Sequence, residues 1–344
     1  MIISVQLLRA LAAIMVVMHH ITIKAGQYHN NALSGFHIGE FGVDLFFIIS
    51  GYIMCYTTEG KKIVPWVFIQ RRIKRIIPLY WVMTAIALAV YLVAPAMVNA
   101  SGGETSILAS WTLFPLGKKL LVNNGWTLSY EFLFYLTFAV CLIAGSAGRR
   151  IVLTSLLLIA IFITGLLLQP QHPTAKFLTN GIILEFILGM LAFKMTHNRH
   201  LTKLLCALLA LSGLLLLIIQ NQTGIYHSAA GWVISGGIPM FLFFTGVVGL
   251  ENDIKQSSVP GIKTCVLIGE ASYSLYLIHA FTLSAGAVAL KMLRLSHHDV
   301  LFTCVLLVSS IIAGLLCWRF IEQPLNACFK RRDNRAVAAR LPIS

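Results

Sequence analysis

Charged side chains are scarce in this chain, and acidic ones are the scarcest. Asp and Glu together number 12 in 344 residues, and all charged types make up 11% of the sequence, whereas a soluble globular domain has about a quarter. Hydrophobic residues supply 58%. A chain so poor in charge cannot cover itself with a water-facing surface. The composition therefore excludes an ordinary soluble domain and predicts an integral membrane protein.

Cysteine and histidine are not found at the spacings that are typical of metal sites or disulfide frameworks. The cysteines lie scattered in apolar runs or in the C-terminal tail, at Cys55, Cys141, Cys206, Cys265, Cys304, Cys317 and Cys328. We therefore expect no disulfide, no redox pair and no metal.

What the sequence has instead is long apolar runs, each able to cross a hydrocarbon core of ~30 Å. They lack the alternation of apolar and polar residues that is typical of a membrane β-barrel. No signal-peptide cleavage site follows the first run, so we expect that helix to be retained. The sequence predicts an all-α, polytopic membrane protein with about ten transmembrane helices, at 5–23, 39–57, 77–97, 126–145, 151–168, 178–195, 202–219, 229–250, 264–290 and 299–321.

Positive charge is distributed unevenly between the two sides of this predicted bundle. If the N-terminus is inside, 20 of the 26 Lys and Arg residues lie on the cytoplasmic side, as the positive-inside rule requires. We therefore expect both termini in the cytoplasm and the long loop 98–125 outside. Because this orientation accounts for the net charge of +14, we expect no nucleic-acid partner. We expect a single transmembrane domain over 1–329 and a basic cytoplasmic tail over 330–344 that contacts anionic membrane lipids.

The first predicted helix carries two polar side chains at lipid depth, Arg9 and His20. Eleven residues make about three turns plus 20°, so both side chains lie on one face, ~16 Å apart. Ionisable groups at that depth normally face a polar cavity and mark a substrate or proton path. We interpret the pair as the start of an active site, although His20 as a packing residue remains an alternative.

Three further ionisable groups are predicted at nearly the same depth as His20, in the outer half of the membrane: Asp44, Glu131 and His279. Depth alone does not establish whether they meet laterally. Pairing of Asp44 and Glu131 with helix-end cations is the structural alternative. For Glu185, Glu270 and Glu322 we expect hydrogen bonds between helices, and an interfacial aromatic belt is an alternative for Trp126, Tyr130 and Tyr135.

The densest basic cluster, Arg71, Arg72, Lys74 and Arg75, lies immediately before the third predicted helix. Arginine presents a planar fork of donors that suits phosphate, so the cluster could hold a phosphorylated cytosolic donor. Enforcing the membrane orientation is the alternative.

Several stretches, taken in order, resemble the acyltransferase-3 family of membrane proteins, and most of all its short exopolysaccharide and O-antigen O-acetyltransferases. These are LLRALAAIMVVMHH at 7–20, FGVDLFFIISGYIM at 41–54, FIQRRIKRIIPLYW at 68–81, WTLSYEFLFY at 126–135, GEASYSLYLIHAF at 269–281 and FIEQPL at 320–325. The resemblance implies a ten-helix bundle in the inner membrane of a bacterium. It also implies transfer of an acyl group, usually acetyl from cytosolic acetyl-CoA, to a sugar hydroxyl of an envelope glycan or lipid-linked sugar.

The resemblance also suggests roles for individual residues. The family's Arg and His separated by ten residues match Arg9 and His20, and its Arg-x-x-Arg matches Arg72 and Arg75. Its Trp-x-Leu-x-x-Glu stretch matches Trp126, Leu128 and Glu131. The usual Glu-Arg-Pro near the end reads Glu322-Gln323-Pro324 here.

Together these observations give one mechanistic hypothesis. Arg72 and Arg75, with Lys74, bind the phosphates of acetyl-CoA. His20 removes the proton of the acceptor hydroxyl as a general base, and Asp44 or Glu131 orients it. Arg9 holds the donor or stabilises the oxyanion.

The sequence leaves several alternatives open. A covalent acyl-histidine intermediate and a succinyl or other acyl donor both fit the same residues. The rival function is a transporter, such as a glycolipid flippase, in which buried His, Asp and Glu residues form a proton relay.

Overall fold

The computed structural model describes residues 1–98, 103–197, 201–223 and 231–338. Arg199 and Arg340, two of the charges used to predict the orientation, lie outside these ranges. The described helices, in chain order, are α1 (Ile3–Gln27), α2 (Gly42–Thr58), α3 (Pro65–Val93), α4 (Pro95–Val98), α5 (Ile107–Thr112), α6 (Gly125–Cys141), α7 (Ala147–Leu168), α8 (Pro173–Leu178), α9 (Leu184–His197), α10 (Lys203–Thr223), α11 (Ile238–Gly249), α12 (Glu251–Gln256), α13 (Ile262–Glu270), α14 (Ser272–Met292), α15 (Asp299–Cys317) and α16 (Gln323–Ala338).

Short helical turns of other types extend several of these helices. They are 3₁₀ turns at Ile38–Phe41, Leu142–Ala144 and Gly181–Ile183, and π-helical turns at Val233–Gly237 and Trp318–Glu322. Within the described ranges the chain forms no β-strand, and its single isolated β-bridge joins Thr105 to Lys119.

Nine helical segments in the described part of the chain are long and apolar enough to cross a membrane. The predicted run at 229–250 corresponds to a shorter apolar helix, Val233–Gly249. The prediction of an all-α, polytopic membrane protein is confirmed. α16 continues through the boundary that we predicted after Phe329.

Two predicted helices differ from the structure. α3 begins at Pro65 rather than at residue 77, so the basic cluster lies inside a helix and not before it. The hydropathy pattern missed this first part because charged residues interrupt it, although a proline at the first helical position is a typical helix start. The run 264–290 is divided between α13 and α14 at Ala271.

The centre of the bundle is α2, which has the highest buried share of the candidate spans. It crosses α9 at very short range: a Cβ atom at Gly51 would collide with the Phe186 carbonyl, and one at Gly189 with the Ile48 carbonyl. Small residues at such a crossing allow two helix backbones to approach closely in lipid. The core around this crossing is aromatic, and the Phe186 ring contacts the rings of both Phe47 and Phe134.

α1 packs along α2, α13 and α14, and an acidic side chain fixes its first turn. Glu251 accepts hydrogen bonds from the backbone N–H groups of Ile3 (2.9 Å) and Ser4 (2.7 Å). A carboxylate satisfies N–H groups that have no partner within the helix, and it also interacts favourably with the helix dipole. Contacts of α1 therefore set the position of Arg9 and His20 relative to α14.

Candidate active site

A cavity of about 110 Å³ lies among five helices, α1, α2, α3, α6 and α14. Its wall is largely apolar, with residues such as Phe46, Phe47 and Ile49 from α2. Polar and charged side chains lie at a few points of that wall: Arg9, Ser50, Arg72, Arg75, Thr127, Glu131, Tyr135, Ser272, Tyr273 and Tyr276. An apolar pocket with a few convergent polar groups is the usual form of a ligand site.

Three guanidinium groups line this cavity. Arg72 and Arg75 are one helical turn apart on α3, so they present to the same face, and Arg9 reaches the cavity from α1. The Nε of Arg9 donates to the Ser272 hydroxyl at 3.1 Å. The Arg72 guanidinium lies 5.4 Å from the Phe68 ring centroid and 5.9 Å from that of Tyr135.

None of these three arginines forms a salt bridge with a carboxylate in the described part of the chain. Glu131 is the carboxylate of the cavity wall, and its Oε1 accepts the Ser50 hydroxyl proton at 2.6 Å. The cavity therefore carries a surplus of positive charge, which suits an anionic ligand.

The remaining two members of the basic cluster do not appear among the described cavity-lining residues. Arg71 is exposed and Lys74 is half-buried, because one helix face can present only part of four nearly consecutive residues. Tyr135, for which the aromatic belt was an alternative, is buried and lines the cavity beside Arg72.

His20 lies beside His279, with 4.9 Å between the ring centroids. The depth argument placed these two imidazoles at one level, and the structure brings them into contact. The Nδ1–H of His20 donates to the Val16 carbonyl at 2.9 Å, because a carbonyl oxygen can only accept. The Nε2 of the neutral ring is therefore left with a free lone pair, as a general base requires.

A layer of hydrogen-bonded side chains connects the histidines with the cavity. Asn124, at the start of α6, donates its Nδ2 protons to the Tyr276 carbonyl (3.0 Å) and to His279 Nε2 (3.4 Å). The hydroxyl groups of Tyr276 and Thr127 are 2.9 Å apart, and both side chains line the cavity. Tyr276 thus contacts the cavity on one side and His279 on the other, with 5.9 Å between the two ring centroids.

Sequence reasoning assigned no role to Asn124, Ser272 or Tyr276. The motif at 269–281 contains two of these residues, but their partners come from α1 and α6, and only the packing of the helices brings them together.

Asp44 lies in a different environment from the one that we expected. Its carboxyl group is fully buried next to that of Glu185 on α9. Both pack on the π-helical turn: a Cβ atom at Gly236 would lie 2.6 Å from Asp44 Oδ1, and one at Gly237 would lie 3.3 Å from Glu185 Cγ. Adjacent carboxyl groups without a cation form a stable pair when they share a proton.

Neither Asp44 nor Glu131 hydrogen-bonds His20 among the described residues, where the ring contacts Val16, His19 and His279. The expectation that a carboxylate orients His20 therefore has no contact to support it. By contrast, Glu322 accepts the Ser274 hydroxyl proton at 2.6 Å, a bond between helical segments of the kind that we expected.

Comparison with known proteins gives a consistent family assignment. The model of the Acyltransferase domain (Acyl_transf_3) matches residues 2–319. The exopolysaccharide production protein ExoZ of Rhizobium meliloti (strain 1021) is 31% identical over 333 residues, which cover 91% of this chain and 98% of that protein.

Two further relatives are more distant. The acyltransferase MdmB of Streptomyces mycarofaciens is 26% identical, over 88% of this chain and 84% of that protein. The O-acetyltransferase OatA of Staphylococcus aureus (strain NCTC 8325 / PS 47) is 24% identical, over 73% of this chain and 47% of that protein. No solved structure matches the chain. The match to the family model over nearly the whole chain shows that this membrane protein is an acyltransferase and belongs to the acyltransferase-3 family.

Proposed function

We propose that this protein is an O-acetyltransferase that moves an acetyl group from cytosolic acetyl-CoA to a sugar hydroxyl of an exopolysaccharide, an O-antigen or a related envelope glycan. The observation that carries the proposal is the cavity with three guanidinium groups that form no salt bridge in the described part of the chain. A charged nucleotide-like donor fits this surplus of positive charge better than a neutral solute does.

In this proposal the arginines of the cavity bind different parts of the donor. Arg72 and Arg75 bind the phosphates of acetyl-CoA, with Lys74 as a peripheral contact, and the pantetheine arm follows the apolar wall of α2. Arg9, held by Ser272, lies further along the cavity and holds the donor there by a charge-assisted contact. We also propose Glu131 as a catalytic residue, because it is the acidic side chain that lines the cavity.

The chemical step needs one base, which takes a proton from the acceptor and passes it to the leaving group. The Nε2 of His20 accepts the proton of the acceptor hydroxyl as the hydroxyl oxygen attacks the thioester carbonyl carbon. The new C–O bond forms, the C–S bond breaks, and the departing thiolate takes the proton from the His20 imidazolium. Base catalysis of this kind contributes about 10²–10⁴-fold. A role for Asp44 in orienting His20 stays a prediction, because the described neighbour of Asp44 is Glu185.

The proposed acceptor rests on the relatives, of which one is named as an exopolysaccharide production protein and another as an O-acetyltransferase. We place the protein in the inner membrane of a bacterium with both termini in the cytoplasm, as the distribution of Lys and Arg predicts. Residues 330–344 then contact anionic lipids on the cytoplasmic side.

Donor binding can be tested with two adjacent arginines of α3. Arg72→Gln removes a guanidinium from the cavity wall, whereas Arg71→Gln removes one from the exposed side of the same helix. Loss of a charge-assisted hydrogen bond costs about 1.5–3 kcal/mol. We therefore expect Arg72→Gln to raise the Kd for acetyl-CoA about 10- to 100-fold, as measured by calorimetry on protein in lipid nanodiscs.

The matched Arg71→Gln variant should bind acetyl-CoA with nearly the wild-type Kd. Equal losses in both variants would indicate a general effect of positive charge. Unchanged affinity in Arg72→Gln would reject the proposed donor site.

A further inference from the structure

His279 is the closest aromatic neighbour of His20 on the opposing helix, and its hydrogen bonds define its protonation state. Its Nδ1 lies 3.1 Å from the Leu275 carbonyl oxygen, which can only accept, so Nδ1 carries a proton. Its Nε2 lies 3.4 Å from Asn124 Nδ2. The ring is fully buried, so water does not compete for either nitrogen.

The orientation of the Asn124 amide is fixed independently of the histidine. Its Nδ2 also donates to the Tyr276 carbonyl at 3.0 Å, and a carbonyl cannot donate in return, so the NH₂ group must point to this side. His279 Nε2 is therefore an acceptor. A proton on Nε2 would place two donors against each other.

We propose that Asn124 keeps His279 as a neutral aromatic ring against His20, which makes His279 a positioning residue and leaves His20 as the proton acceptor of the pair. The edge-to-face contact, with 61° between the ring planes, orients the His20 ring. When His20 takes the proton of the acceptor, the neutral ring stabilises the imidazolium as an aromatic neighbour does a cation. A charged His279 would repel it. This inference rests on the proposed function.

The test uses four variants and one control variant, each compared with the wild type for kcat and for the KM of acetyl-CoA. His279→Leu removes the ring and should lower kcat about tenfold, the order expected for losing a desolvated cation–ring contact, with KM nearly unchanged. His279→Phe keeps a neutral ring and should stay within about threefold of wild type.

Asn124→Asp replaces the donor by a carboxyl group that stabilises a protonated His279, and it should lower kcat at least about tenfold. The double variant Asn124→Asp/His279→Phe has no imidazole to charge, so it should recover the activity of His279→Phe. If Asn124 had only a structural role, adding His279→Phe would not restore the activity that is lost in Asn124→Asp.

Thr282→Val is the matched control on α14, one turn beyond His279, where the hydroxyl bonds the His279 carbonyl (2.9 Å) and Ser310 (2.8 Å). It should keep the wild-type kcat. An inactive His279→Phe that still binds acetyl-CoA would overturn the proposal, because the imidazole nitrogen would then be required. Failure of the double variant to recover would also overturn it, as would His279→Leu with the wild-type kcat. If His279→Leu does not accumulate, the rescue comparison decides.

A spectroscopic readout separates this inference from the proposed function. In ¹⁵N spectra of histidine-labelled protein at pH 7, wild-type His279 should be neutral with its proton on Nδ1, and in Asn124→Asp it should be an imidazolium. A wild type that transfers no acetyl group would overturn the proposed function alone. A protonated His279 in the wild type would overturn the inference.

Discussion

The arginines of the cavity and the buried Arg150 have different environments. Those of the cavity face open space, whereas Arg150 is buried and donates to three carbonyl oxygens, of Gly145 (2.8 Å), Thr58 (3.1 Å) and Lys61 (3.1 Å). The cavity arginines lack such backbone partners among the described hydrogen bonds. This contrast distinguishes a structural arginine from arginines that are available to a ligand.

The structural role of Arg150 predicts a loss of stability without a loss of chemistry. Arg150→Leu leaves buried carbonyl groups unpaired and should lower the free energy of unfolding by roughly 2–4 kcal/mol, measured by thermal unfolding in detergent. Specific activity of the folded fraction should be unchanged. Arg149→Leu, at the exposed neighbouring position, should have the wild-type stability, and equal losses in both would contradict this role.

Glu131 provides a test in which binding and catalysis should change differently. Because Glu131→Gln removes a negative charge from the cavity that we propose binds an anionic donor, the KM for acetyl-CoA should stay equal or fall. If Glu131 acts in the reaction, kcat should fall at least about tenfold. Steady-state kinetics measures both, with Ser50→Ala, which removes only the hydroxyl donor, as the comparison. A raised KM with unchanged kcat would exclude a catalytic role for Glu131.

At the scale of the helix, the cap on α1 makes stability depend on pH. Partial burial alone would raise the pKa of Glu251, but hydrogen bonds from Ser4, Ile3 and Lys255 outweigh it, so the pKa lies below its ordinary value of 4.5. A folded-state pKa that is lower than the unfolded one gives stability that is present above pH ~4.5 and is lost as the pH falls through the folded-state value.

We therefore expect wild type to be more stable than Glu251→Gln by roughly 1 kcal/mol at pH 7, and the difference to shrink as the pH falls below about 4.5 and through the folded-state pKa of Glu251. Thermal unfolding at several pH values measures it. Glu104→Gln is the control, because Glu104 pairs with Lys118 at 2.7 Å on the surface with its side chain 78% exposed, where an ion pair contributes little. A difference that grows on acidification would contradict the assigned cap.

Helices were predictable where apolar residues run without interruption, and less so elsewhere. The facing of Arg9 and His20 was predictable because both follow the period of one helix, and both indeed contact α14, at Ser272 and His279. The partner of Asp44 was not predictable, because it depends on how closely α2 approaches α9. The apolar pattern did not indicate the first turns of α3, because charged and polar residues interrupt it there.

At the scale of the whole molecule, two features of the bundle lie on either side of one polar layer. The cationic cavity extends from Arg72 and Arg75 to Tyr276, and the half-buried His20 lies beyond Tyr276 and His279. In the proposed function the donor occupies the cavity and the acceptor approaches His20, so the thioester must pass this layer. Such an arrangement would let one bundle serve a cytosolic donor and an envelope acceptor.

The most direct test of this account is the O-acetyl content of a defined surface polysaccharide, measured by NMR in cells that express either wild type or His20→Ala at equal membrane levels. The account predicts acetyl esters on the glycan with wild type and none with His20→Ala, although the variant protein still binds acetyl-CoA. Acetyl esters at the wild-type level in cells with His20→Ala would contradict the proposed base. A purified wild-type protein that neither binds acetyl-CoA nor acetylates the glycan would contradict the proposed function itself.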